Sequence, residues 1–165
     1  MRTTRAALPT IYEPDEAFEV GGAKVVRSSS SDQVTLIGAG YTLHEALAAA
    51  DTLAAEGISA RVIDLYSVKP LDLETLTEAS TATGGRLVTV EDHWPEGGLG
   101  SAVVDAFADA DARPRVVKLA VTHLPGSGTP DQLVNEVGIG VEHIAAAARE
   151  LVARGPQLPV GVGAA

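Results

Sequence analysis

The chain has 165 residues, enough for one domain of ordinary size with its own hydrophobic core. Its 22 Asp and Glu residues outnumber 12 Lys and Arg. The resulting net charge of −10 argues against a surface for nucleic acid or anionic lipid, because both are bound mainly through Lys and Arg.

Other classes are excluded by what the composition lacks. The absence of cysteine rules out disulfides, thiolate zinc sites and cysteine nucleophiles. No apolar run approaches the ~18 residues that a membrane span requires, and the first residues lack the apolar segment of a secretory signal. We therefore expect a cytoplasmic protein with no membrane or nucleic-acid partner.

The two ends of the chain differ in composition from its middle. Residues 1–22 are punctuated by Pro9, Pro14 and the Gly21-Gly22 pair, which is typical of an extended lead-in. Residues 154–165 become rich in proline and glycine and are expected to form a flexible tail. Between them, residues 23–153 are predicted to form one α/β domain that starts with a short edge strand at 23–27.

Within this domain, strand and helix patterns alternate. Strands are predicted over residues 34–37, 60–65, 86–90 and 115–121, because each is an apolar run of the kind buried on both faces of a parallel sheet. Helices are predicted from 42 to a stop at 57, over 72–83 and 98–109, from 129 onward and over 141–153. The alternation predicts a three-layer α/β/α fold with a mostly parallel, mixed sheet of about five strands.

Two of these helices begin with capping patterns. Thr42 and Glu45 have the spacing of a capping box, with Thr42 as the N-cap. Thr129 and Gln132 have the same spacing, and Pro130 occupies the first helical position between them. We expect each of these threonines to lie immediately before its helix.

The most informative stretch follows the predicted strand 86–90, where residues 91–100 form a polar, glycine-rich loop that opens a helix. In open α/β sheets, sites are built at the carboxyl ends of strands. One interpretation is acid–base chemistry by His93 with a nearby carboxylate. The sequence favours a contact loop instead, in which the single tryptophan, Trp94, buries its ring against a partner and Gly97-Gly98 lets the backbone approach closely.

A nucleotide site is a weaker alternative. Gly38-Ala39-Gly40 follows a strand and opens a helix, as in a dinucleotide fingerprint, and Asp64 ends the next strand as a ribose-binding acid would. However, Leu43 stands where the third glycine would be, and two glycines also suit an ordinary tight turn. The four histidines have no metal-ligand spacing, and no GxSxG elbow is present. A sequence with no complete active site favours a domain that works beside others.

Three segments, residues 34–50, 62–72 and 90–100, together resemble the C-terminal domain of transketolase, most closely its animal-type and split-gene forms. The similarity extends through residues 18–26 and 121–128, so that it covers the chain from about residue 2 to residue 152. Three ordered motifs at matching separations are far more specific than any one of them.

The resemblance implies a part of a larger enzyme. The family transfers a two-carbon ketol unit between sugar phosphates, using thiamine diphosphate and a divalent metal, Mg or Ca, that other domains bind. The sequence lacks the metal-binding Gly-Asp-Gly…Asn motif of those domains. We therefore expect no catalytic residue, cofactor or metal on this chain alone, and no turnover by it. The expected partners are the remaining transketolase domains or subunit, a second copy in a homodimer, and sugar-phosphate substrates.

The resemblance also implies roles for particular residues. Residues 1–22 correspond to the end of the preceding pyrimidine-binding domain plus a linker, and Arg5 matches an arginine that binds the substrate phosphate. Ala6-Ala7 replace the Gln-Asn that follows this arginine in many microbial members. The loop after the strand 86–90 corresponds to a docking and dimer-contact element, with candidate contact residues Glu91, His93, Trp94, Glu96, Gly97 and Gly98.

Two other assignments stay open at this point. The equivalent domain of a sister thiamine enzyme, such as an α-ketoacid dehydrogenase β subunit or deoxyxylulose-phosphate synthase, shares the expected fold. A nucleotide-binding regulatory module would use the turn at Gly38 to Gly40 and predicts saturable binding of a nucleotide.

Overall fold

The computed structural model describes Thr4 and residues 7–158. Within these residues, five strands and five helices follow one another along the chain. They are β1 (Lys24–Arg27), β2 (Val34–Gly38), α1 (Tyr41–Ala55), β3 (Ala60–Asp64), α2 (Leu73–Ala82), β4 (Arg86–Val90), α3 (Leu99–Ala106), β5 (Arg115–Leu119), α4 (Pro130–Glu136) and α5 (Val141–Ala153).

The described strands form one sheet in the order β1-β3-β2-β4-β5. The pairs β2·β3, β2·β4 and β4·β5 are parallel, whereas the edge strand β1 runs antiparallel to β3. The predicted mixed sheet of about five strands is therefore confirmed. Because the four parallel strands end at the same edge, the loops after β2, β3 and β4 meet there.

The two faces of the sheet are covered by different helices. Leu36 of β2 and Val88 of β4 belong to the core beneath α1 and α5, whereas their neighbours Ile37 and Leu87 belong to the core beneath α2 and α3. All four side chains are fully buried. Successive residues of a strand point to opposite faces, so an unbroken apolar run is what a sheet between two helix layers requires. The three-layer α/β/α arrangement is thereby confirmed.

Helix α1 does not begin as the capping pattern predicts. Its N-cap is Gly40, with a φ of 57°, and the helix starts at Tyr41. Thr42 Oγ1 instead donates to the carbonyl of Val90 at 2.9 Å, and Glu45 Oε2 accepts from the backbone N–H of Val141 at 3.1 Å. The capping box predicted for Thr42 and Glu45 is wrong, because both side chains find partners on distant elements.

The box predicted for α4 is confirmed. Thr129 is the N-cap, its Oγ1 accepts from the backbone of Gln132, and the Gln132 side chain accepts from the backbone of Thr129. Pro130 occupies the first turn. Here every partner lies within three residues, so the local sequence is sufficient.

The two ends of the described chain both pack on the domain. The backbone N–H groups of Gln157 and Leu158 donate to the carbonyl of Gly84 at 2.7 and 3.0 Å. The Phe18 ring packs in T-shaped geometry against Tyr12 and Tyr66, with ring centroids 4.9 and 5.0 Å away. The flexible tail over residues 154–165 stays a prediction, since residues 159–165 lie outside the described part. No helix in that part is long and apolar enough to cross a membrane.

Candidate functional site at the carboxyl edge of the sheet

A cleft of about 680 Å³ lies at the carboxyl edge of the sheet. It is built by the loops that follow β2, β3 and β4, and Thr4 of the N-terminal segment also lines it. Its polar wall includes Tyr41, Tyr66, Ser67, Lys69, Asp92 and His93. The structure thus brings the glycine turn after β2 and the predicted docking loop after β4 together around one opening.

Glu91 holds the start of the docking loop, which we define as residues 91–98. Its side chain is only 4% exposed. One carboxylate oxygen accepts from the backbone N–H of Leu99 at 2.6 Å, and the other accepts from that of Gly100 at 3.0 Å. A helix N-terminus carries unpaired N–H groups and a partial positive charge, and a buried carboxylate satisfies both. Glu91 therefore fixes the loop to the first turn of α3.

Lys118 on β5 holds the other side of the docking loop. Its ammonium donates to the carbonyl of Pro95 at 2.6 Å and to Ser101 Oγ at 3.0 Å. Ser101 Oγ in turn donates to the same carbonyl at 2.8 Å. The strand pattern predicted β5 to continue to Val121, but the structure ends it at Leu119, and the Val121 N–H donates to the carbonyl of His93 at 2.9 Å. The loop is thus fastened to both neighbouring elements.

His93 is engaged with the loop backbone. Its Nδ1 lies 2.7 Å from the carbonyl oxygen of Trp94. A carbonyl can only accept a hydrogen bond, so Nδ1 must carry a proton in this contact. Both oxygens of the neighbouring Glu91 are occupied by α3. These contacts favour the contact-loop interpretation over an acid–base pair of His93 with Glu91.

The outer face of the docking loop is partly apolar. The Trp94 side chain is 44% exposed, and Val68 from the loop after β3 is 39% exposed. Glu96 and Gly97 are exposed, whereas Gly98, the last residue of the loop, is buried. A Cβ at position 98 would collide with the Glu91 carboxylate, so this position requires glycine. A rigid loop with an exposed indole is suited to docking against another surface.

The side chain of Asp64, the predicted ribose-binding acid, is hydrogen-bonded to another residue of the chain. It lies at the carboxyl end of β3, is 5% exposed, and its Oδ2 accepts from the Tyr12 hydroxyl at 2.8 Å. Burial raises the pKa of Asp64, and Tyr12, His44 and Lys24 offset this only in part. The local sequence contains no signal for this contact, because Tyr12 and Asp64 are 52 residues apart.

The other predicted site residue, Arg5, lies outside the described residues, although Thr4 lines the cleft. Nor do the described side chains suit a metal-bound diphosphate. Across Thr4 and residues 7–158, no group of three His, Asp or Glu side chains is placed to hold a metal ion. We therefore assign no step of chemistry to such a group on this chain.

The fold and the edge cleft define an open α/β domain with a cleft at the carboxyl ends of its parallel strands. Residues 21–144 match the family described as the C-terminal domain of transketolase. Transketolase-like protein 1 of Bos taurus is 52% identical over 146 residues, 87% of this chain and 24% of that protein. Transketolase of Mus musculus is 47% identical over 155 residues, 94% of this chain and 25% of that protein.

Solved structures are also similar to this chain. A chain described as split-gene transketolase, inactive β4 tetramer, is 38% identical with a TM-score of 0.82, and the match covers 90% of this chain and 48% of that one. Transketolase from Leishmania mexicana, 22% identical with a TM-score of 0.63 over 85% of this chain and 19% of that one, shares the fold. The chain belongs to the transketolase family and corresponds to its C-terminal domain. It spans about a quarter of the length of the curated relatives it matches.

Proposed function

We propose that this chain is the C-terminal part of a transketolase that transfers a two-carbon ketol unit between sugar phosphates. Thiamine diphosphate would supply the electron sink for that transfer, a divalent metal would hold its diphosphate, and both would be bound by the other domains. The observation that carries the proposal is the 47% identity to a mammalian transketolase over 94% of the chain. Such identity favours transketolase over the sister thiamine enzymes.

The contribution of this chain is to dock and to position. The docking loop, fastened by Glu91 and Lys118 and exposing Trp94, forms the contact with the neighbouring domain and with a second copy in a homodimer. Arg5 reaches the substrate phosphate, since a guanidinium offers a phosphate two parallel charged hydrogen bonds. Thr4, the residue before it, lines the cleft, which supports this role.

The proposal is tested by assaying ketol transfer with the chain alone and with the subunit or domains that carry the Gly-Asp-Gly motif, each with thiamine diphosphate and Mg²⁺. We expect no turnover by the chain alone and turnover after the two parts are combined. The matched split-gene chain is described as an inactive tetramer, which supports the first expectation. Turnover by the isolated chain, or an inactive combination that is correctly assembled, would contradict the proposal.

A variant separates the role of Arg5 from general damage. In the assembled enzyme, Arg5→Ala should raise KM for phosphorylated substrates about 10- to 100-fold, because it removes a charge-assisted contact to the phosphate. KM for an unphosphorylated ketol donor should change little. Equal effects on both substrate classes would remove Arg5 from the phosphate site.

A further inference from the structure

Two arginines at the amino edge of the sheet, where the parallel strands begin, have no acidic partner. Arg86 begins β4 and Arg115 begins β5. Neither forms an ion pair within Thr4 and residues 7–158, although the chain has 22 Asp and Glu residues. Four other arginines in the same part are each paired with a carboxylate: Arg27, Arg61, Arg149 and Arg154. This corner of an acidic chain therefore holds two positive charges that no described carboxylate contacts.

Arg86 is buried to an unusual degree for a charged side chain. It is 8% exposed, and among the described residues its guanidinium makes one hydrogen bond, from Nε to the carbonyl of Thr83 at 2.9 Å. Arginine stays charged in proteins, and a buried charge is costly unless it is paired. Burial lowers the pKa of Arg86, and no acidic side chain in the described part offsets this effect. Its two Nη groups therefore remain available as donors.

Arg115 supplies a second guanidinium that is incompletely bonded. Its Nη2 donates to Gln157 Oε1 at 2.8 Å, whereas its Nη1 is buried without a hydrogen-bond partner. The backbone N–H of Arg115 donates to the carbonyl of Gly85, and that of Gln157 donates to the carbonyl of Gly84, both at 2.7 Å. These bonds fix Arg115 and Gln157 against the turn that leads directly into Arg86.

The two arginines lie side by side on the same face of the sheet. They are direct partners in the register of β4 and β5, and neighbouring strands are about 4.8 Å apart. Two residues further along these strands, Val88 and Val117 pack in the core beneath α1 and α5, so Arg86 and Arg115 share that face. Arg115 is partly exposed, so a small solute can reach the pair from solvent.

A phosphate group matches the donors that this pair leaves unused. A guanidinium presents parallel N–H groups in a geometry that fits the oxygens of a phosphate or a carboxylate. A phosphate monoester carries a charge of about −1.5 to −2 near neutral pH, which balances two guanidinium groups. A carboxylate carries a single negative charge and would leave half of the positive charge unbalanced.

We propose that Arg86 and Arg115 form a binding site for the phosphate group of a small molecule at the amino edge of the sheet. The site lies at the opposite edge from the cleft and does not depend on the proposed function. Free inorganic phosphate and a phosphate monoester offer the same chemistry to the two guanidinium groups, and the first test separates them.

The first test is titration calorimetry of the full chain in phosphate-free buffer at constant ionic strength and about pH 7.5. Inorganic phosphate should bind with a dissociation constant of about 0.1–1 mM, and acetate should bind at least about tenfold more weakly. Comparable binding of methyl phosphate would identify a phosphorylated molecule as the ligand, whereas binding of inorganic phosphate alone would identify free phosphate. No saturation by phosphate up to about 20 mM, or equally tight binding of acetate, would overturn the proposal.

The second test uses matched arginine variants. Arg115→Gln removes a partly exposed guanidinium and should weaken phosphate binding at least about tenfold, with an unchanged circular dichroism spectrum. Arg113→Gln is the control, because Arg113 is exposed and lines a groove beside α3, beneath the other face of the sheet. It should change the dissociation constant less than about twofold. Equal weakening by both variants would show general attraction of an adventitious ion only, and would overturn the site.

The third test examines Arg86 without replacing this buried side chain. In ¹H–¹⁵N spectra of the wild type, the Nε–H signals of Arg86 and Arg115 should shift during the phosphate titration and saturate together, with the constant found by calorimetry. The Nε–H signal of Arg113 should stay in place. A shift of the Arg115 signal without one of Arg86 would show that the two guanidinium groups do not share a ligand.

Discussion

Gly98 is the residue where the packing of the candidate site is tightest. Its φ is −93°, which any residue can adopt, but a Cβ there would lie 2.7 Å from Glu91 Cδ and 2.9 Å from His93 Nδ1. Gly98→Ala should therefore displace the Glu91 carboxylate from the first turn of α3. We expect a loss of about 2–4 kcal/mol in the free energy of unfolding, measured by urea denaturation, because a cap is lost and a buried charge loses its donors.

Gly97 next to it provides the matched control. Its φ is +70°, and a Cβ there would meet nothing within 4 Å. Gly97→Ala should cost only the backbone strain of the left-handed region, about 1–2 kcal/mol. If Gly98→Ala costs no more than Gly97→Ala, then the loop is not held by the Glu91 carboxylate in the way described.

The two buried aspartates at opposite edges of the sheet have opposite electrostatic environments. Burial raises the pKa of Asp64, whose carboxylate has one hydrogen-bond partner, Tyr12, among the described residues. Burial alone would also raise the pKa of Asp32, but hydrogen bonds from Ser29, Ser59 and Arg61 hold it below its ordinary value. Geometry explains the difference, because the Asp32 carboxylate is enclosed by donors and the Asp64 carboxylate is not.

The pH dependence of stability should therefore have opposite signs at the two sites. Folded Asp64 keeps its proton at pH values where the unfolded chain has lost it, so its contribution to stability falls as pH rises above the ordinary aspartate pKa. For Asp32, the unfolded chain keeps the proton up to a higher pH than the folded chain does. The contribution of Asp32 to stability is therefore present above the ordinary aspartate pKa and is lost as pH falls through the depressed pKa of the folded state.

Urea denaturation from about pH 3 to about pH 7 can measure both effects against neutral variants. The stability of the wild type relative to Asp64→Asn should decrease across this range as pH rises. Its stability relative to Asp32→Asn should increase. Slopes of the same sign would show that the surroundings of one of these carboxylates differ from those described.

At the scale of whole elements, the sequence predicts well those strands, helices and caps that depend on a local pattern. The apolar runs of β2 and β4 predict strands covered on both faces, and the helical spacing of residues 141–153 predicts α5 with the observed bounds. The Thr129 capping box is local and is also correct. The position of the docking loop at the carboxyl end of β4 follows from the alternation of strands and helices.

What the sequence does not predict depends on partners far along the chain. Thr42 bonds to Val90, 48 residues away, and Glu45 bonds to Val141, 96 residues away, so neither serves the local cap that their spacing suggests. In the sequence, Lys118 has the pattern of an ordinary strand residue. Only the fold brings its ammonium to the carbonyl of Pro95. Such contacts arise only after the elements have packed.

Lys118 lies on β5, and its ammonium bonds to the docking loop and to α3. It therefore joins three elements. Lys118→Met keeps much of the aliphatic chain but removes the charged donor. We expect the loop to open more often and the acrylamide quenching of Trp94 fluorescence to increase about twofold, with a stability loss of about 1–2 kcal/mol.

Lys69→Met is the control for this measurement. Lys69 is exposed on the loop after β3 and also lines the cleft, but it has no part in the bonds at Pro95. Acrylamide is neutral, so a change of surface charge alone should not alter the quenching. Equal quenching in the wild type and Lys118→Met would show that Lys118 does not hold the loop.

For the molecule as a whole, helices already cover both faces of the sheet. The carboxyl edge is left with a cleft, a fastened loop and partly exposed apolar side chains. The chain spans about a quarter of the length of its curated relatives, and our proposal is that the rest of such an enzyme contacts this domain. The docking loop and the cleft form the surface best suited to that contact.

Trp94 is therefore expected to dominate the association of this chain with the rest of the enzyme. An indole on a rigid loop loses little conformational entropy on binding, and removing a central aromatic contact typically costs about 2–4 kcal/mol of binding energy. Trp94→Ala should raise the dissociation constant by about 30-fold or more, measured by titration calorimetry, while turnover per assembled complex is preserved.

Val104→Ala is the matched control, since Val104 is also 44% exposed but lies on α3, outside the loop and the cleft. It should leave the dissociation constant within about twofold, because a scattered exposed aliphatic side chain does not by itself make an interface. Normal association of Trp94→Ala combined with lost turnover would instead give the loop a role in the chemistry, and His93 would then be the first residue to reconsider.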